Sequence, residues 1–456
     1  MWKILGLVVV CGLLSASEGK PYAGRSCTNS RESAKFIISA MLHDGLLLNH
    51  LKGISLSDVN FGELLDQANS ITGLRIGNLE VTSYEGALMP SGLDVSLSVC
   101  LNITGHTLLD PSNLVSLSLE VTFRVKYERT NFQNGSLDII FHECGANFGA
   151  ITTTLLGSTL SASFLDKIRD SIIAEINLQI CGVLKTVIHL AKDFLFNSIN
   201  ALPLGPYATL RCTMARLPSV SDTFTAVDVY IDVEVPGQGI LSIPDSAGSI
   251  NPPCLSNFKS CQFFHPELFN IVLSVLAPKE PQELSCTPDK FSGADELRNA
   301  ILALVPSENQ GIVSGGALHI RISIEANPTV VFGPNGIIIT ATLKVEFFIR
   351  NADGSTYFVL VVRSRVTLGA VLSFVKGRVI FVASVIGNAL ELISSDAGIS
   401  DDVSSLEPHC ANLLGETFLP IFNGRLAVGL PVFPIFSTVS INPTFQFLEG
   451  ALAACS

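Results

Sequence analysis

The residues best equipped for chemistry in this chain are its cysteines, ten of which follow residue 19, at positions 27, 100, 144, 181, 212, 254, 261, 286, 410 and 455. No two stand at CxxC spacing, which argues against zinc and thioredoxin-type exchange, and an even number suits a disulfide framework in an oxidising compartment. Cys254 and Cys261 are near enough in sequence to close a small local loop. Cys410 with Cys455 would tie the last helix to the chain end. Cys27, Cys100, Cys212 and Cys286 are left unassigned. Cys144 ends a strand-like run and Cys181 falls midway along a helix, so a bond between those two would pin a helix to a sheet.

The other reactive side chains point away from catalysis. There is no GxSxG elbow, no HExxH and no P-loop. His142 adjoins Glu143, but neighbouring strand residues point to opposite faces, so this reads as a solvated strand end. His189 lies off the apolar stripe of its helix and His319 on the polar side of its strand, and both are expected at the surface. No catalytic residue, metal ligand or cofactor is expected, and the chain is expected not to be an enzyme. Asn102-Ile103-Thr104 and Asn134-Gly135-Ser136 are glycan acceptor sequences, at Asn102 and Asn134.

The elements that must position these residues are legible in their hydrophobic period. From Leu165, the series Ile168, Ile172, Ile176, Ile180, Val183, Val187, Ala191 and Phe194 steps by threes and fours, one stripe of a helix that runs to Asn200 and is about 55 Å long at roughly 1.5 Å per residue. Ser163 and Asp166 resemble a capping box at its start. Ser30 caps an earlier helix expected from Glu32 to Leu51, with Gly45 as its weak point. Between the two helices, Val95, Leu97, Val99, Leu101 and Ile103 alternate with polar residues, as do Val115 to Tyr127, and Asn134-Gly135 is a hairpin signal. Val227 to Val235 is a further alternating strand, and Pro236 to Pro253 reads as a linker or long loop. The second half repeats the layout, with strands from Leu318 to about Leu392 and a closing helix in SSLEPHCANLLGETFLPIFNGRL from Ser404. Long antiparallel strands followed by amphipathic helices make an α+β chain in two similar halves.

Composition bounds the function. Of 456 residues, 48% are hydrophobic and 15% charged, enough to build a large core with apolar surface left over. The first residues, MWKILGLVVVCGLLSASEG, read as a secretory signal over 1–19, too short to span a bilayer, so a secreted, extracellular protein is expected. Lys20 to Arg216 holds 15 basic against 17 acidic residues, and the remainder 12 against 22. No basic cluster stands out, so neither nucleic acid nor strong electrostatic capture of anionic membranes is expected. Leu426 to Leu448 lacks charge, but Pro431, Pro434 and Pro443 interrupt it, and it reads as a helix end followed by buried strands; no transmembrane anchor is expected.

The order of elements resembles the superfamily of bactericidal/permeability-increasing protein, lipopolysaccharide-binding protein and the PLUNC proteins. The resemblance rests on Cys144, Cys181 and the long helix, and on NALELISSDAGIS at Asn388 to Ser400, where the family has a strand, a short polar break with a glycine and then the last helix. It implies a Cys144–Cys181 disulfide and a two-domain boomerang, each domain a long helix packed on a highly twisted antiparallel sheet, joined by a central sheet. The corresponding boundaries are 20–216 for the first domain, 217–260 for central strands and linker, and 261–456 for the second. It further implies binding of phospholipid or lipopolysaccharide, whose acyl chains are the expected partners, in apolar pockets between helix and sheet. Met41, Leu48, Ile168, Ile172, Ile176, Val183 and Val187 are the candidate lining. The slightly acidic first half, where lipopolysaccharide-killing members are basic, points toward a PLUNC-like mucosal or glandular secretion acting in innate host defence. The alternatives are a carrier of small hydrophobic odorants or pheromones and a surface-active structural secretory protein.

Overall fold

The computed structural model describes residues 20–58, 70–89, 92–108, 112, 114–133, 136–155, 162–197, 201–216, 218–333, 336–350, 354–400, 402–432, 443–448 and 450–456. The signal expected over 1–19 and the acceptor Asn134 therefore lie outside the described residues. Strand β1 (Gly24–Asn29) leads into α1 (Ser30–Leu42), a tight turn at His43–Gly45 and α2 (Leu46–Leu51). The expected single helix is thus two, broken where Asp44 and Gly45 take φ of 49° and 69°, a left-handed pair that glycine adopts without cost and aspartate tolerates. Its cap is Asn29, whose side chain accepts from the Arg31 N–H at 3.0 Å, whereas the Ser30 hydroxyl donates to the Ser221 carbonyl at 3.1 Å.

Four long strands follow, β2 (Ile71–Met89), β3 (Gly92–Thr107), β4 (Leu114–Gln133) and β5 (Ser136–Leu155), paired antiparallel in sequence order. Val95, Leu97, Val99, Leu101 and Ile103 are buried on one face of β3, as the alternation predicts. Asn102 is exposed on the other face, its side-chain oxygen accepting from the Ser116 hydroxyl at 3.1 Å. Helix α3 (Ala162–Asn197) then runs unbroken for 36 residues, about 54 Å at roughly 1.5 Å per residue. It lies against β5, α1 and α2.

The middle of the molecule is built from both ends of the chain. In order come β6 (Leu202–Leu204), β7 (Ala208–Met214), β8 (Ser219–Val220), β9 (Phe224–Val235), β10 (Gly239–Ser242) and β11 (Ser260–Phe264). The stretch expected as a linker therefore contributes β10, which pairs with β9. The second half comprises α4 (Pro266–Leu276), β12 (Gln282–Ser285), α5 (Ala294–Leu304) and α6 (Gln310–Gly315), then a second meander of β13 (Leu318–Gly333), β14 (Gly336–Arg350), β15 (Thr356–Val375) and β16 (Arg378–Ser394). It closes with α7 (Glu407–Glu416), α8 (Phe418–Leu426), β17 (Leu430–Pro431), β18 (Thr444–Leu448) and β19 (Ala451–Cys455). The closing helix is two because Pro420 has no N–H to offer the Glu416 carbonyl. The central sheet runs β18-β19-β11-β1-β9-β7-β6, flanked by the meander β2–β5 on one side of the sequence and by β12–β17 on the other. Each meander is followed by helices, so the architecture is repeated without repetition of residues.

The disulfides correct two expected pairings. Cys144 is bonded to Cys181, Cys27 to Cys254, and Cys261 to Cys455, so the Cys254–Cys261 and Cys410–Cys455 bridges do not form. The reason is register: Cys27, Cys261 and Cys455 stand opposite one another across β1, β11 and β19. Cys410 is instead buried on α7 as a thiol, and Cys286 is a buried thiol just after β12.

Candidate functional site

The apolar stripe of α3 is buried. Ile168, Ile172, Ile176, Ile180 and Val187 are fully buried, and with Met41 of α1 they join one continuous cluster with the inner faces of β2–β4. Leu48 and Val183 are half-buried against its edge. The structure thus brings all seven candidate lining residues to one helix–sheet interface, filled by Val95, Leu97, Leu119 and Phe123 from the sheet side. Leu184 and Ile188 are buried there too. Leu184, four residues after Ile180, satisfies the same helical period as Val183 and is the more deeply buried of the two. Asp166–Ala191 is long and apolar enough to cross a bilayer by length and composition, which a buried amphipathic helix also satisfies. Two histidines expected at the surface are half-buried instead: His189 packs 6.0 Å from the Phe141 ring and His319 stacks 5.6 Å from Phe348, centroid to centroid.

A pocket lined by hydrocarbon lies in the second half, between α4, β13, β16 and the end of α8. Its walls are Phe269, Val272, Leu273 and Leu276 of α4, Val330, Phe381, Leu426 and Leu430. Phe269 is the centre of this wall, edge-on to Phe332 at 5.0 Å and to Phe381 at 5.4 Å. Gly429, at φ 68°, lets the backbone turn close over Arg378 and Ile380, where a Cβ would meet both side chains at 3.1 Å. Polar ties hold the walls in place. Asn270 accepts from the Val330 N–H at 2.7 Å, Asn423 bonds both the N–H and the carbonyl of Ala383 at 2.9 Å, and Arg425 donates to the Ala277 carbonyl at 3.1 Å. The N-terminus of α4 is capped by His265, whose Nδ1 accepts from the Glu267 N–H at 3.0 Å while the ring also bonds the Ala247 backbone. Burial holds the His265 pKa below its ordinary value. The pocket's volume is about 10 Å³, room for one water and not for a chain.

The large open cleft is polar and belongs to the first half, about 1090 Å³ between α1 and the outer face of β2–β5. Asp94, Lys126 and Glu143 form one cross-strand row, and Glu85, Ser96, Arg124 and Gly145 the next. Lys126 and Glu143 pair at 3.0 Å, and this hydrogen bond, with the Glu143 and Asp94 charges, raises the Lys126 pKa. Arg31, Lys35 and Tyr84 complete the rim. Alternating charge on the wet face of β3–β5 was the sequence signal for it.

The outer face of β13–β16 is divided. At one end Arg321 bridges Glu283 and Glu346, Arg350 joins Glu283, and Arg363 bridges Glu325 and Glu391, all within 2.6–3.2 Å. At the other end residues 326–333, 336–342, 366–375 and 379–390 contain no charge. There Val371 and Val382, paired across β15 and β16, are 72% and 53% exposed, and Val331 and Ile386 are exposed beside them.

Residues 43–191 match the family model described as LBP / BPI / CETP family, N-terminal domain. Over 383 residues, 84% of this chain and 80% of the relative, the sequence is 21% identical to BPI fold-containing family B member 3 of Rattus norvegicus. Over 396 residues, 84% of each, it is 20% identical to BPI fold-containing family B member 2 of Homo sapiens. The crystal structure of lipopolysaccharide binding protein matches 95% of this chain and 98% of its own, with a TM-score of 0.56 at 13% identity. At that identity the likeness is one of fold.

Proposed function

We propose, from the premise that this chain belongs to the superfamily of bactericidal/permeability-increasing, lipopolysaccharide-binding and PLUNC proteins, that it is a secreted, non-enzymatic lipid-binding protein acting in innate host defence at a mucosal or glandular surface. The observation that carries the reading is the pocket under α4, whose lining offers hydrocarbon from five separate elements, α4, β13, β16, α8 and β17. Acyl chains of phospholipid or lipopolysaccharide are the ligand class, because each buried CH₂ contributes about 0.8 kcal/mol. Entry of a chain requires α8 to part from α4 and Phe381 to swing aside, and the Asn423 and Arg425 ties oppose that opening. The mixed-charge cleft beside α1 supplies groups for a polar head group. Lipid extraction and native mass spectrometry of the protein purified from its secretion test the reading. Copurifying lipid supports it; a lipid-free protein that takes up neither phospholipid nor lipopolysaccharide sinks it. Displacement of a small fluorescent ligand without phospholipid uptake would favour a carrier of small hydrophobic molecules instead.

A second reading rests on the exposed apolar end of the outer face of β13–β16. An exposed apolar sheet face next to a ladder of ion pairs is amphipathic, which suits a surface-active structural secretion. Val371→Glu with Val382→Lys would abolish the lowering of surface tension under this reading and leave lipid uptake unchanged.

A further inference from the structure

Helix α7 and the connector after β12 lie against each other through contacts a few residues beyond each of two buried thiols. Cys286 follows β12, its N–H donating to the Leu318 carbonyl at 2.8 Å and its Sγ lying 3.5 Å from the Ala294 carbonyl at the start of α5. One residue earlier, a Cβ on Gly293 would stand 2.6 Å from the Asn412 amide on α7. Ser292 donates to Glu416, through its N–H at 2.8 Å and its hydroxyl at 2.5 Å. Cys410 lies on the buried side of that same helix, with Leu413 and Leu414. Both cysteines are in the main hydrophobic core.

We infer that Cys286 and Cys410 form a fourth disulfide in the exported protein, joining the β12–α5 connector to α7. The inference rests on the secretion proposed above. Burial raises both thiols, Cys286 to about 11 and Cys410 to about 12, and the charge of Cys286 is close enough to add to the shift of Cys410. Thiolate is therefore scarce once the core has closed, and the bond forms earlier, during folding. Glutathione disulfide, or a protein disulfide of the exchange class, is the oxidant. One cysteine thiolate attacks a sulfur of glutathione disulfide and releases a glutathione thiolate. The other cysteine thiolate then attacks the chain's sulfur in that mixed disulfide and releases the second. Two chain thiols are oxidised, one glutathione disulfide is reduced to two glutathione thiols, and those take up the two protons.

Peptide mapping of the full chain, exported from cells and purified without reductant, tests this. Thiols are blocked with iodoacetamide in denaturant, the chain is reduced, and the newly exposed thiols are labelled with N-ethylmaleimide. The expected map has the second label on Cys286 and Cys410, and before reduction a cross-linked pair of the peptides that hold them. A map in which Cys144 and Cys181 carry the second label but Cys286 and Cys410 the first overturns the fourth bridge and leaves export standing. Either cysteine bonded to a different partner overturns it as well. If all ten cysteines carry the first label, both the bridge and the secretory reading fail.

Discussion

Cys144 of β5 and Cys181 of α3 are bonded with their Cα atoms 5.6 Å apart, and Val125 of β4 stands opposite Cys144 in the sheet. The longest helix is thereby fixed at its middle to the strand it packs on. A bond closing this loop limits the unfolded chain. Replacing both residues, Cys144→Ser with Cys181→Ser, is expected to lower the unfolding free energy by about 2–4 kcal/mol. Equilibrium denaturation checks it through a lower midpoint.

Phe381 closes the apolar pocket against Phe269, and it is buried. Phe381→Ala should cost about 3–5 kcal/mol of stability because the surrounding strands relax only partly around the lost ring. The same deletion makes room beneath α8. Uptake of a fluorescent fatty acid by the folded variant is therefore expected to rise while its denaturation midpoint falls. Weaker uptake in a folded variant would place the ligand elsewhere.

His265 gives the α4 cap a pH dependence. Its folded pKa is lowered by burial, although the Ala247 bond and the Glu267 charge act in the opposite direction. The neutral ring is the form the fold prefers, since a protonated Nδ1 cannot accept from the Glu267 N–H. This contribution is complete above the ordinary histidine pKa and is lost as pH falls through the lowered one. His265→Asn keeps a capping oxygen that does not titrate in this range. The fall in melting temperature of the wild type between about pH 7 and about pH 5 should be smaller in the variant, as calorimetry would record.

Much of this arrangement was legible from local pattern, and the failures share a cause. Alternation in β3 and β4 and the stripe of α3 are properties of neighbouring residues, so the buried faces that carry Leu97, Phe123 and Ile176 could be read in advance. The cysteine pairing could not, because Cys27, Cys261 and Cys455 meet only once both chain ends have entered one sheet. His319 departs from expectation for a similar reason: opposite it, on the neighbouring β14, stands Phe348, whose ring is covered by His319 and Arg321. The pocket under α4 depends on α8 and β16 folding back from more than a hundred residues away, which no local period encodes.

Whether the stripe of α3 covers core or ligand can be decided on two residues of the same helix. Ile176 is fully buried against the sheet, whereas Leu178 is 80% exposed. As core, Ile176→Ala leaves a cavity that the β-sheet side chains cannot fill and costs about 2–5 kcal/mol, while Leu178→Ala stays within about 0.5 kcal/mol. A residue lining a ligand site in an otherwise stable domain behaves differently, because its loss weakens lipid uptake with little change in the ligand-free protein. Denaturation of the delipidated variants, run beside phospholipid uptake, separates the two. The packing of Val95, Leu97 and Phe123 beneath α3 leads to the first outcome, with the cost falling on stability and uptake by the second half unchanged.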